Sequence, residues 1–258
     1  MKMNELKEFK ADKLKVKIYE TRETMGREAA NDAACLIKKL LSEKDEVNII
    51  FAAAPSQNEF LASLIQAGDI DWKRINAFHM DEYIGLRSDA PQGFGNFLKD
   101  RIFGKAGFKS VNYLNGNAEN IEAECKRYTG LLKAFPTDIV CMGIGENGHI
   151  AFNDPHVADF EDSETVKVVE LDERCRNQQV HDGCFKTISE VPTRALTLTI
   201  PALTAGRHIF CVVPGSTKTE AVTNTVKGDI TTACPASILK KHSSAVLYAD
   251  RDSGRGIL

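Results

Sequence analysis

Two polar clusters in this chain hold residue types that move protons. The first is HMDEYIGL, His79 to Leu86, where Asp81 and Glu82 directly follow the apolar run Ile75 to Met80. A carboxylate at the C-terminal end of a strand can face a cleft and act as a general base. The plainer alternative is a solvated turn carboxylate or a cap for the next segment. The second cluster is GIGENGHIAFNDP, Gly143 to Pro155, which places Gly145, Asn147, His149 and Asp154 close together. An imidazole titrates near neutrality and can move a proton between oxygens. A neighbouring carboxylate or amide would fix its tautomer; the alternative is a satisfied structural histidine. Gly143, Gly145 and Gly148 match G-x-G-x-x-G, but HIAFNDP does not continue as the helix that a dinucleotide fingerprint requires. These glycines are read instead as places of close approach or positive φ.

Two further junctions have anion-binding character. In PGSTKTEAV, Pro214 to Val222, a Gly-Ser turn leads into a helix read from Thr217. Free N–H groups at a helix start favour an anion, and Lys218 adds a full charge. In AAAPSQNEF, Ala52 to Phe60, Ser56 and Gln57 offer a hydroxyl and an amide to phosphate or sugar oxygens. Capping of the helix Ser56 to Ala67 would explain Ser56 equally well.

These clusters need a scaffold, and the hydrophobic pattern supplies one. Val47 to Ala54, Ile75 to Met80, Asp138 to Met142, Ile209 to Val213 and Ala245 to Tyr248 are short, nearly continuous apolar runs. They read as parallel strands buried on both faces. Leu14 to Tyr19, Thr165 to Leu171 and Ala195 to Ile200 also read as strands. Helical spacing marks Arg22 to Leu41, Phe94 to Phe103, Ile121 to Phe135, Thr217 to Val226 and Ala236 to Lys241. Such alternation predicts one α/β domain over residues 1–258, with helices on both faces of a mostly parallel sheet. Ligands in such folds bind beyond the carboxyl ends of the strands. The loops after Ala54, Met80, Met142 and Val213 are those ends, and they carry the polar clusters.

Bulk properties narrow the function. Of 258 residues, 43% are hydrophobic and 27% charged, with a formal net charge of -3, so no basic excess points to nucleic acid or a membrane surface. No window approaches the roughly 18 apolar residues of a membrane helix. The N-terminal stretch lacks the apolar core of a signal peptide. Seven cysteines form no C-x-x-C pair, which favours reduced thiols and a cytoplasmic location over zinc or disulfides.

The clusters together resemble the glucosamine-6-phosphate deaminase (isomerase) family. The likeness rests on MDEYIGL at Met80 to Leu86 and GIGENGHIAFNDP at Gly143 to Pro155. It is supported by YLNGNA at Tyr113 to Ala118, VPTRALTLTI at Val191 to Ile200 and GSTK at Gly215 to Lys218. The resemblance implies a Rossmann-like, doubly wound α/β fold, and conversion of an amino-sugar 6-phosphate to a ketose 6-phosphate plus ammonia, with no metal or organic cofactor. It implies that Asp81 moves the C2 proton to C1, that His149 helps open the sugar ring, and that Lys218 holds the phosphate. Ser56, Gln57, Glu82 and Gly145 are the other expected substrate contacts, and a homo-oligomer is possible in such a family.

The chain departs from the family pattern in places. Asn147 stands where Asp is common before Gly-His, so it can only orient His149. Asp154 replaces the usual Glu before Pro. The phosphate loop reads AAPSQ rather than T-G-[GS]-T-P. The segment expected to supply a phosphate arginine is RCRNQQVHDGCF, Arg174 to Phe185, which makes Arg174 and Arg176 the candidate substitutes. Of the basic pair seen in regulated members, Lys167 fits one position and Thr165 stands at the other. Titration with an N-acetylated sugar phosphate is therefore expected to show no activation; sigmoidal kinetics made hyperbolic by it would contradict this. Galactosamine 6-phosphate as substrate, 6-phosphogluconolactone hydrolysis and a non-catalytic sugar-phosphate sensor are the competing readings.

Overall fold

The structure, a computed structural model, describes residues 5–258. Its centre is an eight-stranded sheet. The strands are β1 (Glu5–Ala11), β2 (Leu14–Tyr19), β3 (Val47–Phe51), β4 (Ile75–His79), β6 (Ser110–Asn112), β7 (Ile139–Met142), β10 (His208–Val213) and β11 (Ala245–Asp250). Their spatial order is β1-β2-β11-β10-β7-β3-β4-β6. All neighbours pair in parallel except β1, which returns on β2 as an antiparallel edge. In β3, β7 and β10, successive side chains enter two different apolar clusters: Ile49, Phe51, Cys141 and Val212 on one face, Ile50, Val140, Met142 and Cys211 on the other. Side chains alternate across a strand, so both faces are covered and the runs read as continuously apolar.

Helix α1 (Arg22–Glu43) buries Met25, Ala29, Ala30, Ala33, Ala34, Ile37 and Leu41, the stripe that 3.6-residue periodicity demands. Its start is fixed by Thr21, whose hydroxyl accepts from the Thr24 N–H. The other helices are α2 (Asn58–Gln66), α3 (Phe94–Leu98), α4 (Ile121–Ala134), α5 (Glu173–His181), α6 (Ile200–Thr204) and α7 (Thr219–Lys227). Among the described residues, no helix is long and apolar enough to cross a membrane.

Several boundaries differ from the sequence reading. Ser56 caps nothing: Pro55–Gln57 forms a 3-10 turn and α2 begins at Asn58. Likewise Ser216–Lys218 is a 3-10 turn and α7 begins at Thr219. Residues 94–103 split into α3 and a π-helical turn, Lys99–Phe103. Pro235–Lys241 is 3-10 throughout. The largest difference concerns the runs at Thr165 and Ala195. They form β8 (Val166–Glu170) and β9 (Arg194–Leu198), which join β5 (Asp81–Tyr83) in a separate antiparallel sheet, β5-β9-β8. The polar, partly exposed positions of β8 fit a sheet with one wet face better than a parallel interior.

Candidate active site

After β3 the chain crosses to β4 and then β6 on one side, and afterwards returns to β7 on the other. The sheet therefore has a switch point between β3 and β7, where an open α/β sheet forms its crevice. A cleft open to solvent lies there. Its walls include Ser56 and Gln57 after β3, Asp81 after β4, Gly145 and His149 after β7, and Lys218 after β10. Six of the nine residues expected at the site thus meet in one place.

Asp81 opens β5 and its strand pairs with β9 opposite Thr197. Its position is set from below. The Tyr128 hydroxyl on α4 accepts from the His79 N–H (3.0 Å) and lies 2.9 Å from the His79 carbonyl, tying down the end of β4. The His79 ring accepts from the Leu114 N–H at 2.8 Å, and burial pushes it down to about 3, so it is a neutral framework group. The Asp81 carboxyl is buried, and its Oδ1 has no hydrogen-bond partner. Burial, with the charge of Glu82 added, raises it well above the ordinary aspartate range. A proton-abstracting group in a dry cleft has this character. The acid limb of kcat/KM is accordingly expected above the ordinary aspartate value of about 3.9, a position that a pH–rate profile measures directly.

The histidine arrangement follows from one invariant donor. The backbone N–H of His149 donates to Asn147 Oδ1 at 3.0 Å. A backbone N–H can only donate, so this bond fixes which end of the amide is oxygen. Asn147 Nδ2 then donates to Asp154 Oδ1 at 2.9 Å. His149 Nδ1 lies 2.8 Å from Asn147 Oδ1 and 2.9 Å from Asp154 Oδ1. Flanked by two acceptors, Nδ1 must carry the proton. Nε2 keeps its lone pair and is the nitrogen available to a substrate hydroxyl. Burial alone would raise Asp154, but the adjoining His149 ring and the hydrogen bonds from His149 and Asn147 outweigh it and hold the carboxyl below its usual range. Asn147 and Asp154 are thus placed behind His149, outside the cleft wall, where they orient the ring.

Two glycines make this turn possible. A Cβ on Gly145 would lie 2.1–2.4 Å from the His149 ring atoms, and Gly148 has φ +86° with Cys234 against it. Gly145→Ala is expected to displace the ring by about 1 Å and to cost on the order of 10²-fold in kcat. A steady-state assay beside a thermal melt checks that activity falls far more than folding does.

Lys218 is buried, and burial lowers its ammonium below the ordinary lysine range. Among the described residues, no carboxylate lies within ion-pair distance of it. The turn that carries it is held by Asp250, whose carboxylate accepts from the Gly215 N–H at 3.0–3.1 Å. Across the cleft, Gln57 Nε2 bridges Ser56 Oγ and the Val212 carbonyl, both at 3.1 Å, which fixes the loop after β3 to β10.

Three expectations are corrected. Glu82 does not face the cleft: its carboxylate accepts from the N–H groups of Tyr83, Phe94 and Gly95 and staples β5 to α3. Arg174 is exposed beside Glu220 and the Glu146 carbonyl, and Arg176 donates to the carbonyls of Ile188 and Val191. Neither reaches the cleft. The same helix instead brings Gln178 and Gln179, both buried, to its wall. Gln178 Oε1 accepts from the Glu146 N–H at 2.8 Å, so α5 also braces the histidine turn.

This geometry belongs to an α/β fold with a polar cleft at its switch point. The family described as glucosamine-6-phosphate isomerases/6-phosphogluconolactonase matches residues 20–248. The chain belongs to that family. It is 36% identical to a glucosamine-6-phosphate deaminase of Listeria innocua over 208 residues, which is 81% of this chain and 87% of the relative. It is 33% identical to one of Bacillus thuringiensis over 218 residues, 84% of this chain and 81% of the relative. Among solved structures, a monomeric glucosamine-6-phosphate deaminase of the NagB superfamily superposes with a TM-score of 0.84 at 32% identity, covering 93% of this chain and 99% of that one. A 6-phosphogluconolactonase from Thermotoga maritima shares the fold, with a TM-score of 0.73 at 20% identity over 91% of this chain and 98% of that one.

Proposed function

We propose that the protein converts glucosamine 6-phosphate to fructose 6-phosphate and ammonia. The observation that carries this reading is the meeting, in one cleft, of a bare imidazole nitrogen, an unpartnered carboxylate and an unpaired buried lysine. His149 Nε2 takes the proton of the anomeric hydroxyl and returns it to the ring oxygen, which opens the sugar. Asp81 then removes the proton from C2 of the open aldose while O1 takes up the proton released by the C2 ammonium, leaving an enolamine, and Asp81 delivers its proton to C1. The resulting C2 imine adds water and expels ammonia, so water is consumed and one ammonia leaves per ketose formed. Lys218, with the Gly215 turn, Ser56 and Gln179, holds the phosphate and orients the reacting end. No step in this sequence calls for a metal or an organic cofactor. Lys167 donates to Asp162 and to the Val157 carbonyl, so the one basic residue of the incomplete regulatory pair is already engaged.

The test is ammonia release from glucosamine 6-phosphate, with galactosamine 6-phosphate and 6-phosphogluconolactone assayed in parallel. Ammonia from the gluco epimer in excess of the galacto epimer supports the proposal. Faster turnover of the galacto epimer would move the substrate assignment. Lactone hydrolysis without ammonia would overturn it, as would saturable binding of either amino sugar without turnover.

A further inference from the structure

Behind the catalytic histidine lies a set of atoms that orientation of the ring does not explain. Cys175, in the first turn of α5, is buried with its thiol turned toward Asp154 and His149. One ligand atom each from His149, Asp154 and Cys175 falls within 4.8 Å of the other two, and all three residues are buried. The Asp154 Oδ2 atom is buried with no hydrogen-bond partner of good geometry. Cys175 is itself held in place: its N–H donates to the Asp172 side chain at 2.6 Å, which caps α5. Among the described residues the other such cluster, Asp154, His156 and Asp172, has no thiol and is partly open to solvent.

We propose that His149, Asp154 and Cys175 form a site for a thiophilic divalent cation, zinc or cadmium, and that its occupancy switches the catalytic histidine off. Nitrogen, oxygen and sulfur donors in this combination suit zinc, whose bonds of about 2.0–2.3 Å would require the side chains to shift by roughly an ångström. One thiolate and one carboxylate balance the double charge. The thiol proton leaves to solvent, since burial and the Asp154 charge otherwise keep the sulfur protonated. The Nδ1 proton also departs and Nε2 takes one up, so the imidazole remains neutral overall. The metal thus reverses the tautomer: the nitrogen facing the cleft becomes a donor and can no longer accept the anomeric proton.

The inhibition half of this proposal rests on the deaminase reading; the binding half does not. The probe is cadmium chloride added to the metal-free protein. One equivalent is expected to produce the ultraviolet cadmium–thiolate charge-transfer band and to abolish ammonia release, with both effects reversed by a chelator. Cys175→Ser, checked for folding by its melt, is expected to lose the band and to need at least about tenfold more cadmium for half-inhibition relative to its own uninhibited rate. Cys35→Ser, at an exposed cysteine, is expected to keep both. Should Cys175→Ser not fold, cadmium NMR of the unmodified protein decides, because a single sulfur donor separates this site from surface carboxylates. A band that survives in Cys175→Ser, or one that vanishes in Cys35→Ser, overturns the site. A band without inhibition overturns the switch and leaves the deaminase reading standing.

Discussion

Asp81→Asn is expected to lower kcat for ammonia release by about 10²- to 10⁴-fold and, in the same molecule, to raise stability at neutral pH. The catalytic loss follows because an amide cannot take the C2 proton. The stability gain follows from linkage. The fold raises the Asp81 carboxyl above its unfolded value through burial and the nearby Glu82 charge. Between the unfolded and folded values the native state binds more protons than the unfolded chain, so its stability falls as pH rises through that window. At neutral pH the folded protein carries the cost of burying an ionisable group whose Oδ1 has no partner. Asparagine removes that cost. Denaturant melts at pH 7 are expected to place the midpoint of Asp81→Asn above that of the wild type, with the gap closing toward acid pH. A variant both inactive and less stable would show Asp81 to be a framework group.

Lys218→Met is the second large effect. A hydrogen bond to a charged group is worth about 1.5–3 kcal/mol, so kcat/KM should fall roughly 10- to 150-fold. The phosphate is a remote handle bound alike in ground and transition states, which places most of the loss in KM. Inorganic phosphate should lose its competitive inhibition in parallel. Burial lowers the Lys218 ammonium, so the folded state carries that cost at every pH below the lowered value. The methionine variant is therefore expected to melt higher without ligand and to gain less from added phosphate. An unchanged KM would remove Lys218 from the phosphate site.

The cleft was legible in the sequence because a parallel sheet makes it so. Runs such as Val47–Phe51, Ile139–Met142 and His208–Val213 are apolar throughout except at Asn48 and His208, which marks them as central strands, and the loops at their carboxyl ends converge in space. Asp81, His149, Lys218, Ser56, Gln57 and Gly145 were found on that basis. The antiparallel sheet β5-β9-β8 was not, since alternation within a strand says nothing of its partner. Strand β1, ELKEFKA, is an edge with charged side chains at most positions and has no apolar run to announce it. Glu82 shows how adjacency misleads: it was expected at the substrate beside Asp81, yet opposite-facing side chains of one strand sent Asp81 to the cleft and Glu82 to three backbone N–H groups. Gln178 and Gln179 were invisible for a related reason. Helix α5, ERCRNQQVH, has no apolar stripe, so only tertiary contact reveals which of its polar residues are buried.

The most direct test of the central claim follows ammonia and ketose 6-phosphate together, from glucosamine 6-phosphate, with the wild type and a folded Asp81→Asn variant. The geometry predicts one ammonia per ketose from the wild type and neither product from the variant, which still binds the sugar phosphate. No ammonia from the wild type, or undiminished release from Asp81→Asn, would contradict it.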